Sequence, residues 1–217
     1  MAYDLEEQEQ IASLKAFWSK FGNLITWTLI VVLGGFAAYN FWTMRERNQA
    51  AEASALFDQL APAIAAKDAA KVQRIVSDVE TKYKDSTYAQ MSAMAAAKFA
   101  FDAEDLKGAK AHLNWVIANG NAEYQSIAKL RLAGVLLDEK AYDEALKQLD
   151  ASILPEFAGL AADRKGDILV AQNKIPEARA AYEAALKAMD EKTPGRGLVQ
   201  FKLESIGGTV AAPKAAA

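Results

Sequence analysis

The sequence predicts an all-α protein: an N-terminal single-pass transmembrane helix followed by an α-solenoid of helix pairs. Three observations carry this reading. Segment 21–44, from Phe21 to Met44, holds no charged residue. After Arg47, apolar residues recur at helical spacing, as in Val72, Ile75, Val76, Val79 and Tyr83. Small residues return in pairs of constant separation, opening at Ala97, Ala133 and Gly166, the mark of a repeated structural unit.

Composition narrows the class. Alanine supplies much of the 52% apolar content; it is the best helix former and small enough for close helix crossings. Valine and isoleucine are sparse outside the apolar segment, which argues against a large sheet. Net charge is −3, and segment 1–20 contributes to it with Asp4, Glu6, Glu7 and Glu9 against Lys15 and Lys20. No Lys and Arg cluster forms the footprint that nucleic acid requires. The chain has no cysteine, which excludes disulfides, thiolate metal sites and a Cys nucleophile.

Segment 21–44 spans roughly 36 Å at about 1.5 Å per residue, enough to cross a hydrocarbon core of about 30 Å with some tilt. Lys20 closes one end, and Arg45 and Arg47 close the other. Trp18, Tyr39 and Trp42 stand near the ends, where amphipathic rings favour the headgroup zone. Gly35-Phe36-Ala37 has the small residues of a signal-peptide cleavage site. However, the region before the apolar run is long and acidic at its start, and the run continues to Trp42. An uncleaved anchor with lipid as its surround is therefore expected. Lys15 and Lys20 balance Arg45 and Arg47, so local charge leaves orientation open. Ile11, Leu14, Trp18 and Phe21 form an apolar stripe that reads either as a short amphipathic helix on the membrane surface or as an extension of the anchor. Gly34 and Ala38 have the small-xxx-small spacing that packs on another helix.

The paired small residues are Ala97 and Ala109, Ala133 and Ala145, and Gly166 and Ala178. An apolar residue lies three positions before each second member (Leu106, Tyr142, Ile175), and another four positions after it (Leu113, Leu149, Tyr182). Small residues let helices cross closely, and the large ones fill the gaps between crossings. Asp85-Ser86-Thr87, Asn119-Gly120-Asn121, Pro155 and Pro194-Gly195 break the helices. The pattern resembles the tetratricopeptide repeat in a divergent form. The Trp expected early in the first helix is missing, and Pro155 and Pro194 miss the repeat-ending position. The expected organisation is a tail with a short amphipathic helix at 1–20, a transmembrane helix at 21–44, a tetratricopeptide-like domain at 45–206 and a flexible tail at 207–217.

Other motifs are more specific. Glu7-Gln8-Glu9-Gln10-Ile11, Lys15-Ala16-Phe17-Trp18 and Gly22-Asn23 precede the anchor. Ile127-Ala128-Lys129-Leu130-Arg131-Leu132-Ala133, Tyr142-Asp143-Glu144-Ala145-Leu146 and Arg164-Lys165-Gly166-Asp167-Ile168 follow it. Together they resemble the YfgM-like family of ancillary subunits of the bacterial Sec translocon, over nearly the full length. The resemblance implies an inner-membrane protein with a cytoplasmic N-terminus and periplasmic repeats. It implies association with the SecYEG channel and a PpiD-type membrane-anchored periplasmic chaperone, and help for secreted or outer-membrane proteins as they emerge. The alternative is a membrane-anchored tetratricopeptide scaffold that assembles another envelope complex.

No Walker loop, G-x-S-x-G or H-E-x-x-H occurs, so no enzyme, cofactor, metal or small-molecule substrate is expected. His112 is the sole histidine and reads as structural, since a ligand or base needs partners. Gly166-Asp167 is explained by close packing rather than catalysis. For partner binding, the face lined by the first helix of each pair offers Met91, Met94, Ile127, Leu130 and Leu160, which either line a groove for a polypeptide or belong to the core between repeats. The row Lys98, Gly134 and Asp167 lacks the Lys and Asn pattern that grips a terminal carboxylate in chaperone-binding relatives of this repeat.

Overall fold

The computed structural model describes residues 2–150 and 152–209; the expected tail from residue 210 onward lies outside them. The chain divides into two compact units, Met1–Ala51 and Glu52–Ala217. Among the described residues there is no strand.

Helix α1 runs without interruption from Ala2 to Asp58. Residues 2–20 are thus a direct helical continuation of the apolar segment. Large apolar side chains stand exposed along it, Phe36 at 66% and Phe41 at 71%, a surface that water penalises and hydrocarbon accepts. Polar side chains within the span bond to the helix's own carbonyls. Thr26 Oγ1 donates to Gly22 O at 2.8 Å, Thr28 Oγ1 to Leu24 O at 2.8 Å, and Asn40 Nδ2 to Phe36 O at 2.9 Å. Such internal satisfaction is what a segment without water around it requires.

The second unit holds the last turns of α1, then α2 (Leu60–Ala65), α3 (Ala69–Lys82), α4 (Thr87–Asp102), α5 (Leu106–Asn119), α6 (Ala122–Asp138), α7 (Tyr142–Asp150), α8 (Ala158–Ala171), α9 (Ile175–Ala188) and α10 (Arg196–Ser205). Side chains set several starts: Asp68, Ser86, Asp105 and Asn121 accept from the amides of Lys71, Tyr88, Gly108 and Tyr124. The Asp85-Ser86-Thr87 break is thus a cap, with Ser86 as the capping residue.

One turn recurs. Lys67, Glu104, Lys140, Asn173 and Gly207 take a left-handed backbone, with φ of 53°, 61°, 61°, 59° and 78°. After each, the next amide returns to a carbonyl five residues back, as in Asp105 N to Ala100 O at 2.9 Å and Ala141 N to Leu136 O at 2.9 Å, which is the Schellman closure. These turns end α2, α4, α6, α8 and α10, the first helices of the pairs; α3, α5, α7 and α9 are the second helices. Four of the five positions are not glycine, although the left-handed region costs a residue with a side chain about 1–2 kcal/mol. Glu104 is exposed and accepts or donates no side-chain bond among the described residues. Glu104→Gly is therefore expected to raise stability by about 1 kcal/mol, or about 2–4 °C in Tm, read by circular dichroism of the detergent-solubilised protein.

Apolar side chains from both helix sets meet in clusters around Val76 and Val79, around Leu113, Leu132 and Ile168, and around Leu186, Val199 and Leu203. Buried polar residues serve the connectors. Gln90 Oε1 accepts from Asn121 N at 3.0 Å, Ser126 Oγ accepts from Leu154 N at 3.1 Å, and Lys129 Nζ donates to Ser152 O at 2.9 Å.

A polar clip holds α10. Lys202 Nζ lies 2.8 Å from both Asp163 Oδ1 and Asp167 Oδ1, and the Tyr182 hydroxyl donates to Asp167 Oδ1 at 2.8 Å. Burial, and then the bond to Asp167, push the Tyr182 hydroxyl well above its ordinary range, so it remains a donor. Lys202→Met deprives both carboxylates of this cation and is expected to cost about 2 kcal/mol. Because damage in a quasi-linear array stays local, hydrogen exchange should accelerate in α10 before it does in α4 to α6.

Candidate functional site

Helices α4, α6 and α8 lie side by side, and counting back from each left-handed residue places their side chains in rows. Met91, Ile127 and Leu160 share one row, thirteen positions back. Met91 and Ile127 are half-buried and Leu160 is exposed. Met94 and Leu130 share the row ten positions back and point differently. Met94 is 6% exposed, packed with Leu113 and Ala128, and fills the core; Leu130 leans half-buried on the same cluster. The sequence-derived groove residues therefore divide: Leu160 is exposed, Met91 half-buried, Ile127 and Leu130 half-buried against the core cluster, and Met94 inside.

The small residues are closely packed. Ala109, Ala133, Ala145 and Ala178 are 0% exposed and Ala97 is 3% exposed. A Cβ on Gly166 would collide with the ring of Tyr182.

On the same face lies an open hollow of about 290 Å³. Ala97, Leu113 and Val135 give it an apolar floor, and Phe101, Lys98, Arg131, Asp138 and Arg164 stand around it. Gly134 creates the space. It occupies the row of Lys98 and Asp167 but carries no side chain, and the guanidinium carbon of Arg164 would be 3.7 Å from a Cβ placed there. Lys98 pairs with Asp102 at 2.6 Å and Arg164 loosely with Asp167 at 3.7 Å. Arg131 is exposed and makes no ion pair or side-chain hydrogen bond among the described residues. The hollow is thus cationic above an apolar base.

Comparison with known proteins adds identity to this geometry. Residues 15–208 match the tetratricopeptide repeat-like domain family. A relative from Neisseria gonorrhoeae is 34% identical over 95% of this chain and 100% of its own length. One from Haemophilus influenzae is 31% identical, covering 85% and 91%, and one from Escherichia coli is 26% identical, covering 92% and 96%. All three are ancillary SecYEG translocon subunits. The chain belongs to this family.

In this family member the apolar part of α1 fits an inner-membrane anchor, being the one helix among the described residues long and apolar enough to cross a membrane. His112 Nδ1, on α5, lies 3.5 Å from Glu80 Oε1, on α3. Asp167 belongs to the α10 clip. The cations of the hollow leave only a faint mark in the sequence. Arg131 and Arg164 stand two positions before Ala133 and Gly166 respectively, in phase with the repeat, and that shared phase is the signal that could have found them.

Proposed function

We propose that this protein is a non-catalytic binding module at the SecYEG translocon, anchored in the inner membrane by α1 with its N-terminus in the cytoplasm and its repeats in the periplasm. There it associates with a membrane-anchored periplasmic chaperone of the PpiD type and assists secreted or outer-membrane proteins as they emerge. The observation that carries this reading is the full-length match to a SecYEG ancillary subunit, which extends through both the apolar helix and the repeats. The accessible face of α4, α6 and α8 supports protein binding: an apolar row beside a hollow suits an extended or helical polypeptide.

In-membrane crosslinking with identification of partners tests the assembly, and the expected products contain SecY, SecE or SecG. Protease added to spheroplasts tests orientation and is expected to remove residues after Arg47. Protection in spheroplasts with digestion in inverted vesicles would place the repeats in the cytoplasm and favour a scaffold for another machine.

A further inference from the structure

We propose that the hollow over Gly134 recognises acidic side chains within a partner polypeptide: an Asp or Glu carboxylate lies between Arg131 and Arg164, and a neighbouring apolar side chain rests on the floor at Leu113 and Val135. The inference deepens the protein-binding reading and rests on it. Three observations converge. Arg131, Arg164 and Lys98 surround one hollow whose lining contains a single acid, Asp138; with Lys98 held by Asp102, its positive charge rests on the two guanidinium groups. Arg131 has no ionic partner among the described residues, and Arg164 has only the 3.7 Å contact to Asp167, so neither guanidinium is saturated. The floor beneath them is apolar, which adds a second requirement on the ligand.

Guanidinium suits carboxylate because its planar donors engage both oxygens, and such charge-assisted bonds are about twice as strong as neutral ones. An internal acidic residue fits better than a chain terminus. The hollow is open, and the apolar row of Met91, Ile127 and Leu160 continues along the same face. A segment that runs through the hollow reaches that row, whereas a terminus stops at the cations.

The test uses the full-length protein in detergent and a fluorescent peptide, blocked at both ends, of alternating Leu and Glu. The same peptide with Gln for Glu is the comparison. The Glu peptide is expected to bind about tenfold more tightly at low salt and to lose that advantage as salt rises. Arg131→Gln with Arg164→Gln should abolish the preference while the Tm stays within about 2 °C, since Arg131 is exposed and Arg164 has only the loose 3.7 Å contact to Asp167, which keeps Lys202. Gly134→Leu should fill the hollow and weaken both peptides. Equal affinity for Glu and Gln peptides, or an unchanged preference in the double Arg variant, overturns the proposal. So does binding of a Glu-free peptide with an unblocked C-terminus in place of the blocked Glu peptide. Translocon crosslinking of the parent protein is scored separately. Its absence defeats the protein-binding assignment at the translocon, while its presence alongside absent Glu preference defeats only this site.

Discussion

Gly166→Leu is expected to lose about 2–4 kcal/mol of stability, or roughly 4–16 °C in Tm for a domain of this size. Even a methyl group at Gly166 meets three atoms of the Tyr182 ring. That ring is 3% exposed and its hydroxyl is bound to Asp167, so it has nowhere to retreat. Overpacking of a fixed core typically costs about 1–3 kcal/mol, and displacing the ring forfeits its hydrogen bond, about 1 kcal/mol more. Gly166→Leu with Tyr182→Ala separates the causes. If the clash dominates, the double variant is more stable than the sum of the two single losses predicts. A Gly166→Leu protein that melts like the parent would show that α8 and α9 do not approach as described.

Met94→Ser should cost about 3–5 kcal/mol, and Met91→Ser only about 1 kcal/mol. Deleting a buried methionine side chain leaves a cavity worth about 2–5 kcal/mol, and a buried hydroxyl without a partner adds to it. Met94 is buried among Leu113, Ala128 and their neighbours, whereas Met91 is half-buried on the accessible row. Thermal melts paired with partner crosslinking should rank the two oppositely: Met94→Ser lowers Tm most, and Met91→Ser lowers capture with little thermal effect. Equal melting losses would place Met91 in the core.

The helical class and the span were legible in the sequence because both rest on long-range averages. An uncharged run from Phe21 to Met44 and a phased series of alanines survive any single substitution. The burial of the small positions follows the same phased pattern, since a small side chain suits a place where backbones are close. Met94 and Met91 were harder to tell apart. They differ by three positions on one helix, and whether each points inward depends on how α4 rolls against α5 and α6, which composition does not encode. The Arg131 and Arg164 hollow was obscured because its defining residue, Gly134, contributes an absence. The polar ties from Gln90 and Ser126 to the connectors were hidden because each partner is a backbone amide, and every residue type except proline supplies one.

The repeated left-handed turn bears on how such an array changes over evolutionary time. Each first helix ends two residues before the turn residue, and each second helix starts two residues after it: α4 stops at Asp102 and α5 starts at Leu106, α6 stops at Asp138 and α7 starts at Tyr142. The connectors from second to first helices differ freely in length, from Gly120 and Asn121 after α5 to the longer stretch 189–195 after α9. The hairpin inside a pair is thus a fixed cassette closed by main-chain atoms, and the joints between cassettes are adjustable spacers. Duplication or loss of whole cassettes needs no new hairpin. Insertions are expected at the joints rather than inside the cassettes. Lineages of this protein should therefore differ in the angle between neighbouring pairs long before they differ within one.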